Sequence, residues 1–323
     1  AVEAMIPLGR LSEAQVIVDD SPVYEGHMAA MHLALMTTWL KLRQGDTDSV
    51  AATIEELAPT VAAERNLQFE GSLVRLRLEL AFATHAREDP WSIAQPVLRR
   101  TGVNDEVQYQ AEVLALVARL EAERALDPGC PLAVRDAATV HIDDCIAKLV
   151  ALADQHLFTM AAPLAEALTR GEAARARRLT TEAVAAWERA SLEAASVGDG
   201  WHRIYADWRL AETLAESGAT DRARTVVRDA HAAATAMGAA GLAAELDGPS
   251  RRARLGDLEA VTPDVDLTGF GTDGRSGPVP EAEDGSERTP ASAALEAYVG
   301  LGLTPREAEV LALLAEGRTN GEI

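Results

Sequence analysis

Apolar residues recur along the first two-thirds of the chain at helical spacing, in pairs of stripes separated by a glycine. The clearest unit runs from Trp201 to Met237. Ile204, Trp208, Ala211, Leu214 and Ala215 fall on one face of a first helix, and Gly218 closes it, where a left-handed cap favours a residue without a Cβ. Ala223, Val226, Val227, Ala230, Ala234 and Met237 line one face of a second helix, with Asp221, Arg222, Arg224 and Arg228 outside. Helix, turn and helix make a hairpin with one uncovered apolar face, so it must stack on neighbours.

The same turn pattern recurs. Gly9, Gly45, Gly171 and Gly218 each precede, by five positions, a small or β-branched residue: Ala14, Val50, Ala176 and Ala223. A small side chain at the first inward position of a helix lets its partner approach closely. The separations are unequal, 36 residues from Gly9 to Gly45 and 47 from Gly171 to Gly218. Tetratricopeptide repeats have a period of about 34 residues. The expectation is therefore an all-α domain of TPR-like stacked hairpins, an irregular α-solenoid, over residues 1–256. An irregular helical domain without true repeats is the alternative.

From about Thr262 to Ser292 the periodicity stops, and the chain becomes rich in Gly, Pro and acidic residues. Such a stretch has too little apolar surface to offset its ordering entropy. Residues 257–293 read as a flexible acidic linker, and 294–323 as a separate, truncated helical module.

Composition narrows the partners. The chain carries a formal net charge of −21, which opposes contact with phosphates over most of its surface. Any DNA contact is expected from a small local module. Cys130 and Cys145 are too few for a disulfide framework, and neither a signal peptide nor a membrane-spanning apolar run is visible. These features predict a cytoplasmic protein without a membrane partner.

The final segment is the most informative. Thr304, Pro305 and Glu307 form a capping box with proline at the first helical position. Val310, Leu311, Leu313 and Leu314 supply a buried face, Gly317 closes the helix, and Thr319 with Glu322 opens another. The run from Leu303 to Ile323, Leu-Thr-Pro-Arg-Glu-Ala-Glu-Val-Leu-Ala-Leu-Leu-Ala-Glu-Gly-Arg-Thr-Asn-Gly-Glu-Ile, resembles the opening of a LuxR-type helix-turn-helix almost residue by residue. Gly321 departs from the basic residue often found there. On that resemblance, residues 294–323 are the start of a helix-turn-helix, truncated at Ile323.

The repeats, in segments such as Arg209-Leu-Ala-Glu-Thr-Leu-Ala-Glu-Ser-Gly, resemble those of the large ATP-binding LuxR regulators. That resemblance implies a DNA-binding transcription regulator. Its repeats would sense a protein or small-molecule inducer and support self-association. Thr319 and Asn320, at a helix amino terminus, would contact the DNA backbone. It also implies ATP, bound by a signal-transducing ATPase domain ahead of Ala1. The chain itself is expected to hold no cofactor: Lys41 and Lys148, its only lysines, are followed by leucine, not by the Ser or Thr of a P-loop. Beginning in mid-pattern and stopping inside a newly capped helix, it is expected to be a carboxy-terminal portion whose base-reading residues lie beyond Ile323. A TPR-like interaction scaffold without DNA binding, and a signalling ATPase whose catalytic domain lies upstream, are the alternatives.

Three further constellations stand out in the chain. His141, Asp144 and Cys145 share a helix face, as metal ligands could, but without a second ligand pair they read as a buried Cys beside a surface-edge His. Trp201, His202, Tyr205 and Trp208 could line a small-molecule pocket, although aromatics at that spacing usually form core. Arg175, Arg177 and Arg178, with Glu166, Glu172 and Glu182 nearby, read as a solvated helix face. No nucleophile–base or metalloenzyme pattern is present, so no enzyme is expected and no metal site is assigned.

Overall fold

The structure, a computed structural model, describes residues 2–21, 27–99, 107–154 and 161–252. The chain divides into two units, Ala1–Thr272 and Asp273–Ile323. The expected acidic linker and the expected helix-turn-helix, with Thr304, Pro305, Glu307, Gly317, Thr319, Asn320 and Glu322, all lie outside the described residues.

Every regular element among the described residues is an α-helix. The order is α1 (Val2–Met5), α2 (Leu11–Asp19), α3 (His27–Gln44), α4 (Thr47–Glu64), α5 (Leu67–Ala83), α6 (Pro90–Leu98) and α7 (Val107–Leu126). Then come α8 (Leu132–Asp154), α9 (Ala161–Ala176), α10 (Thr180–Ser196), α11 (Gly200–Glu216), α12 (Thr220–Met237) and α13 (Ala240–Arg252). The boundaries follow from local chemistry. Asp46, Asn66, Asp89 and Asp199 each accept a hydrogen bond from a backbone amide in the first turn of α4, α5, α6 and α11. Gly9, Gly45, Gly218 and Gly238 adopt positive φ in the turns between helices.

Sequential helices pack against one another, and α3, α5, α7 and α9 also contact one another in succession, forming an inner row. The outer helices bury narrow alanine faces: Ala183, Ala190 and Ala194 on α10, and Ala223, Ala230 and Ala234 on α12. Alanine lets neighbouring helices approach but contributes little apolar area. Larger side chains supply more, among them Trp187 and Trp208, each able to bury about 150–250 Å².

The end of the row returns to its start. Helix α13 packs on α3, the Trp201 amide donates to the Pro7 carbonyl at 3.3 Å, and Gly9 lies against the Met237 side chain. Side chains of α11 thereby reach α3 and α5, which enclose the interior described below.

The Trp201–Met237 hairpin matches its expected faces: Ile204, Trp208, Ala211 and Leu214 are buried, as are Ala223, Val227, Ala230 and Ala234. The turn expected at Gly171 is not there. Helix α9 runs through Gly171 to Ala176, and the turn follows at 177–179 with Arg178 in the left-handed region at φ 55°. Gly171 serves a different need. A Cβ at this position would lie 2.7 Å from ring carbons of the fully buried Trp187, so the absent side chain makes room for the indole.

A polar interior as the candidate functional site

Charged residues enter the interior because five helices carry them on their inward stripes. Arg75, Glu79 and Phe82 are spaced by four and three on α5; Glu112, Arg119 and Glu123 by seven and four on α7. Glu172 and Arg175 continue the inward face of α9 below Leu164 and Leu168, while α11 presents Trp201, Tyr205, Trp208, Arg209 and Glu212. Each set lies on one side of its helix. Helix α3 adds Trp39 and Arg43.

The first group joins α3, α5, α7 and α11. Arg43 Nη2 donates to Glu79 Oε1 at 2.9 Å, and Arg75 Nη1 donates to Glu112 Oε2 at 3.1 Å. Both guanidinium groups lie over indoles: Arg43 is 3.9 Å from the Trp201 ring centroid and Arg75 is 3.8 Å from that of Trp39. Flat cations on aromatic faces gain electrostatic attraction without needing water. Burial lowers the Arg43 pKa to about 10, against the pull of Glu79, so it stays charged at neutral pH.

A second group ties α7, α9 and α11 together. Glu123 Oε1 accepts from Arg175 at 2.9 Å and also from Arg209. Glu172 accepts from Arg175 Nε at 2.9 Å through one oxygen and from the Tyr205 hydroxyl through the other. Arg209 Nε donates to the Tyr205 oxygen at 3.1 Å, and its Nη1 donates to Glu212 at 2.8 Å. Burial pushes the Tyr205 phenol up to about 12, so it remains a donor. Burial would also raise Glu123, but Arg175, Arg209 and Arg119 overcome it and hold the carboxyl at about 2.

Arg119 stands apart. Its guanidinium carbon sits 3.3 Å from the Phe82 ring centroid and 3.9 Å from that of Tyr205. Its Nε is buried without a hydrogen-bond partner, and among the described residues no carboxylate lies within ion-pair distance of it. Arg119 borders a cavity of about 90 Å³ whose other walls include Leu116, Leu168, Glu172, Trp201 and Tyr205.

This arrangement revises two sequence readings. Trp201, His202, Tyr205 and Trp208 divide between core and pocket: Trp201 and Tyr205 are buried, His202 partly so, and all three border the cavity, while Trp208 is buried beside Phe82. Arg175 is not on a solvated face. It points inward to Glu123 and Glu172, because α9 turns its Glu172/Arg175 side toward α7 and α11; Arg177 pairs with Asp143 on α8 instead. His141 stacks on Trp91 and bonds the buried Glu121 through Nδ1 at 2.7 Å, while Cys145 is buried. No group of three or more metal-ligating side chains occurs among the described residues.

The sequence reading did not single out Arg43, Arg75, Glu79 or Arg119. A signal was present in the charged residues that share a stripe with aromatics on α5 and α11. No helix among the described residues is long and apolar enough to cross a membrane. Compared with protein-family models, with curated proteins and with solved structures, the chain matches none.

Proposed function

We propose that this chain is part of a cytoplasmic LuxR-type transcription regulator, in which the helical array receives an effector or partner and a helix-turn-helix begun at Leu303 delivers the response to DNA. The observation that carries the reading is the residue match from Leu303 to Ile323, with its two capping boxes around Gly317. The array supports it in kind. Its interior is lined by paired and unpaired charged side chains around a cavity, a feature that a purely structural stack of helices does not need.

On this reading Thr319 and Asn320 contact the DNA backbone, and base selectivity belongs to a helix that the family places after them. TPR-like packing, self-association and an ATPase domain bound to ATP belong to the same proposal. The acidic charge of −21 restricts DNA contact to the helix-turn-helix itself.

The test is selection of fragmented genomic DNA by the natural gene product containing these residues. Reproducible enrichment of a few promoter fragments, weakened by salt and by Thr319→Ala with Asn320→Ala, is the expected result. Failure to enrich any fragment over scrambled DNA removes the regulator assignment and leaves the array as a protein-interaction scaffold.

A further inference from the structure

The interior cavity is bordered by one arginine that forms no ion pair with a described residue. Glu79 is engaged by Arg43, Glu112 by Arg75, and Glu172 by Arg175 and Tyr205, while Asp199 pairs with His202. Arg119 alone among the arginines bordering this cavity lacks a carboxylate partner among the described residues, although it is only 7% exposed. Burial lowers its pKa from 12.5, yet an arginine does not shed its proton in a protein. Glu172 and Glu79 attract it from beyond contact, but a buried guanidinium without a direct ion-pair partner is costly and is suited to take up a counter-ion.

Geometry restricts where that counter-ion can sit. Phe82 and Tyr205, whose ring planes stand at 86° to one another, both lie against the guanidinium, whose N–H donors lie along its edge. Carboxylates match that edge, accepting two parallel hydrogen bonds. The cavity, at about 90 Å³, exceeds the roughly 10–15 Å³ that a single water requires. Water could satisfy the buried Nε but could not neutralise the charge. Beyond the guanidinium the walls are Leu116, Leu164, Leu168, Ala165 and the Trp201 ring, which suit a hydrocarbon or aromatic body. A phosphate dianion fits poorly, because Glu79, Glu112, Glu172 and Asp199 also border the space and a single unpaired cation faces them.

We propose that this cavity binds a small organic monocarboxylate, its carboxylate paired with Arg119 and its apolar body packed on Leu116, Leu168 and Trp201. The assignment deepens the sensing role proposed above by naming the effector class. It stands on the cavity alone, and is tested without DNA.

The experiment uses the purified 323-residue chain, with hexanoate, benzoate and indole-3-acetate as probes, each beside its primary amide, and sulfate as an anion control. Calorimetric titration and thermal melts should show saturable binding and a raised Tm with at least one acid, and neither with its amide nor with sulfate. Arg119→Gln should weaken that acid at least about tenfold, the loss expected when one charge-assisted hydrogen-bond pair is removed. Absence of binding by all three acids, equal binding of acid and amide, or an unchanged affinity in Arg119→Gln would overturn the site.

Arg119→Met supplies a second readout. Without ligand it should melt at or above the parent, because it removes an unpaired buried charge while keeping similar bulk. Melting well below the parent would mark Arg119 as a structural stack on Phe82 and Tyr205 and overturn the binding role. Failure of these titrations leaves the DNA-selection result untouched, and failure of DNA selection leaves these titrations standing.

Discussion

Arg43 on α3 and Glu79 on α5 meet at 2.9 Å with both side chains only 5% exposed, an ion pair sealed inside the helical array. Both charges are withdrawn from bulk solvent, so each depends on the other. Removing one partner of a buried pair typically costs about 3–5 kcal/mol, whereas replacing both with apolar residues of similar volume is often neutral or stabilising. Glu79→Ala is therefore expected to lower stability by that amount in denaturant melts. Arg43→Met combined with Glu79→Leu should recover most of the loss. A double variant as unstable as the single one would show that the pair contributes through geometry that apolar packing cannot replace.

Trp208 is 3% exposed, packs edge-on to Phe82 with ring centroids 6.3 Å apart, and lies beneath Arg209. Truncation leaves a large cavity and strips a cation of its aromatic support. Trp208→Ala should cost about 3–5 kcal/mol. A loss below about 1 kcal/mol, the scale of an ordinary surface change, would contradict its place in the core.

Two glycines separate close packing from backbone conformation. Gly171→Ala forces a Cβ to within 2.7 Å of the Trp187 ring and should cost about 1–3 kcal/mol, as overpacking does. Gly218, at φ +83°, has open space around its missing Cβ, so Gly218→Ala should lose only the left-handed penalty of about 1–2 kcal/mol. Tryptophan fluorescence should shift in the first variant and not in the second. Identical spectra would mean that α9 and α10 adjust without disturbing Trp187.

Acid should loosen the contact among α7, α9 and α11. Glu123 ionises near 2 in the folded chain, below its ordinary value of 4.5. A depressed carboxyl contributes stability that is present above the unfolded value and lost as pH falls through the folded one. The window is therefore from about pH 5 down to pH 2, with Asp199, also held low, contributing in the same direction. Glu123→Gln should flatten this acid limb in melts recorded across that range. An unchanged limb would assign the acid sensitivity to other carboxyls.

Much of the helical framework was legible in the residues because its causes are local. Apolar spacing placed Ile204, Trp208, Ala211 and Leu214 on one buried face, and positive-φ glycines marked the turns at 9, 45 and 218. Gly171 was misread because a glycine required for contact looks, in sequence, like a glycine required for a turn. Only the neighbour, Trp187 on the next helix, distinguishes the two. Nor could composition separate Arg175, which is inside, from Arg222, which is exposed.

The chain by itself determined that these segments are helical, where the turns at Gly9, Gly45 and Gly218 fall, and which apolar faces of the Trp201–Met237 hairpin must be covered, since propensity, capping and periodicity act within a few residues. It also carries the helix-turn-helix resemblance of 303–323, which rests on residue identity alone. Tertiary structure decided which charges turn inward and which of them lacks a partner. Arg43 finds Glu79 36 positions away and Arg209 finds Glu123 86 positions away. A charged side chain on a helix satisfies local rules equally well facing water or facing a distant opposite charge. Only the return of α11 and α13 toward α3 and α5 buries these stripes, and with them the unpaired guanidinium of Arg119.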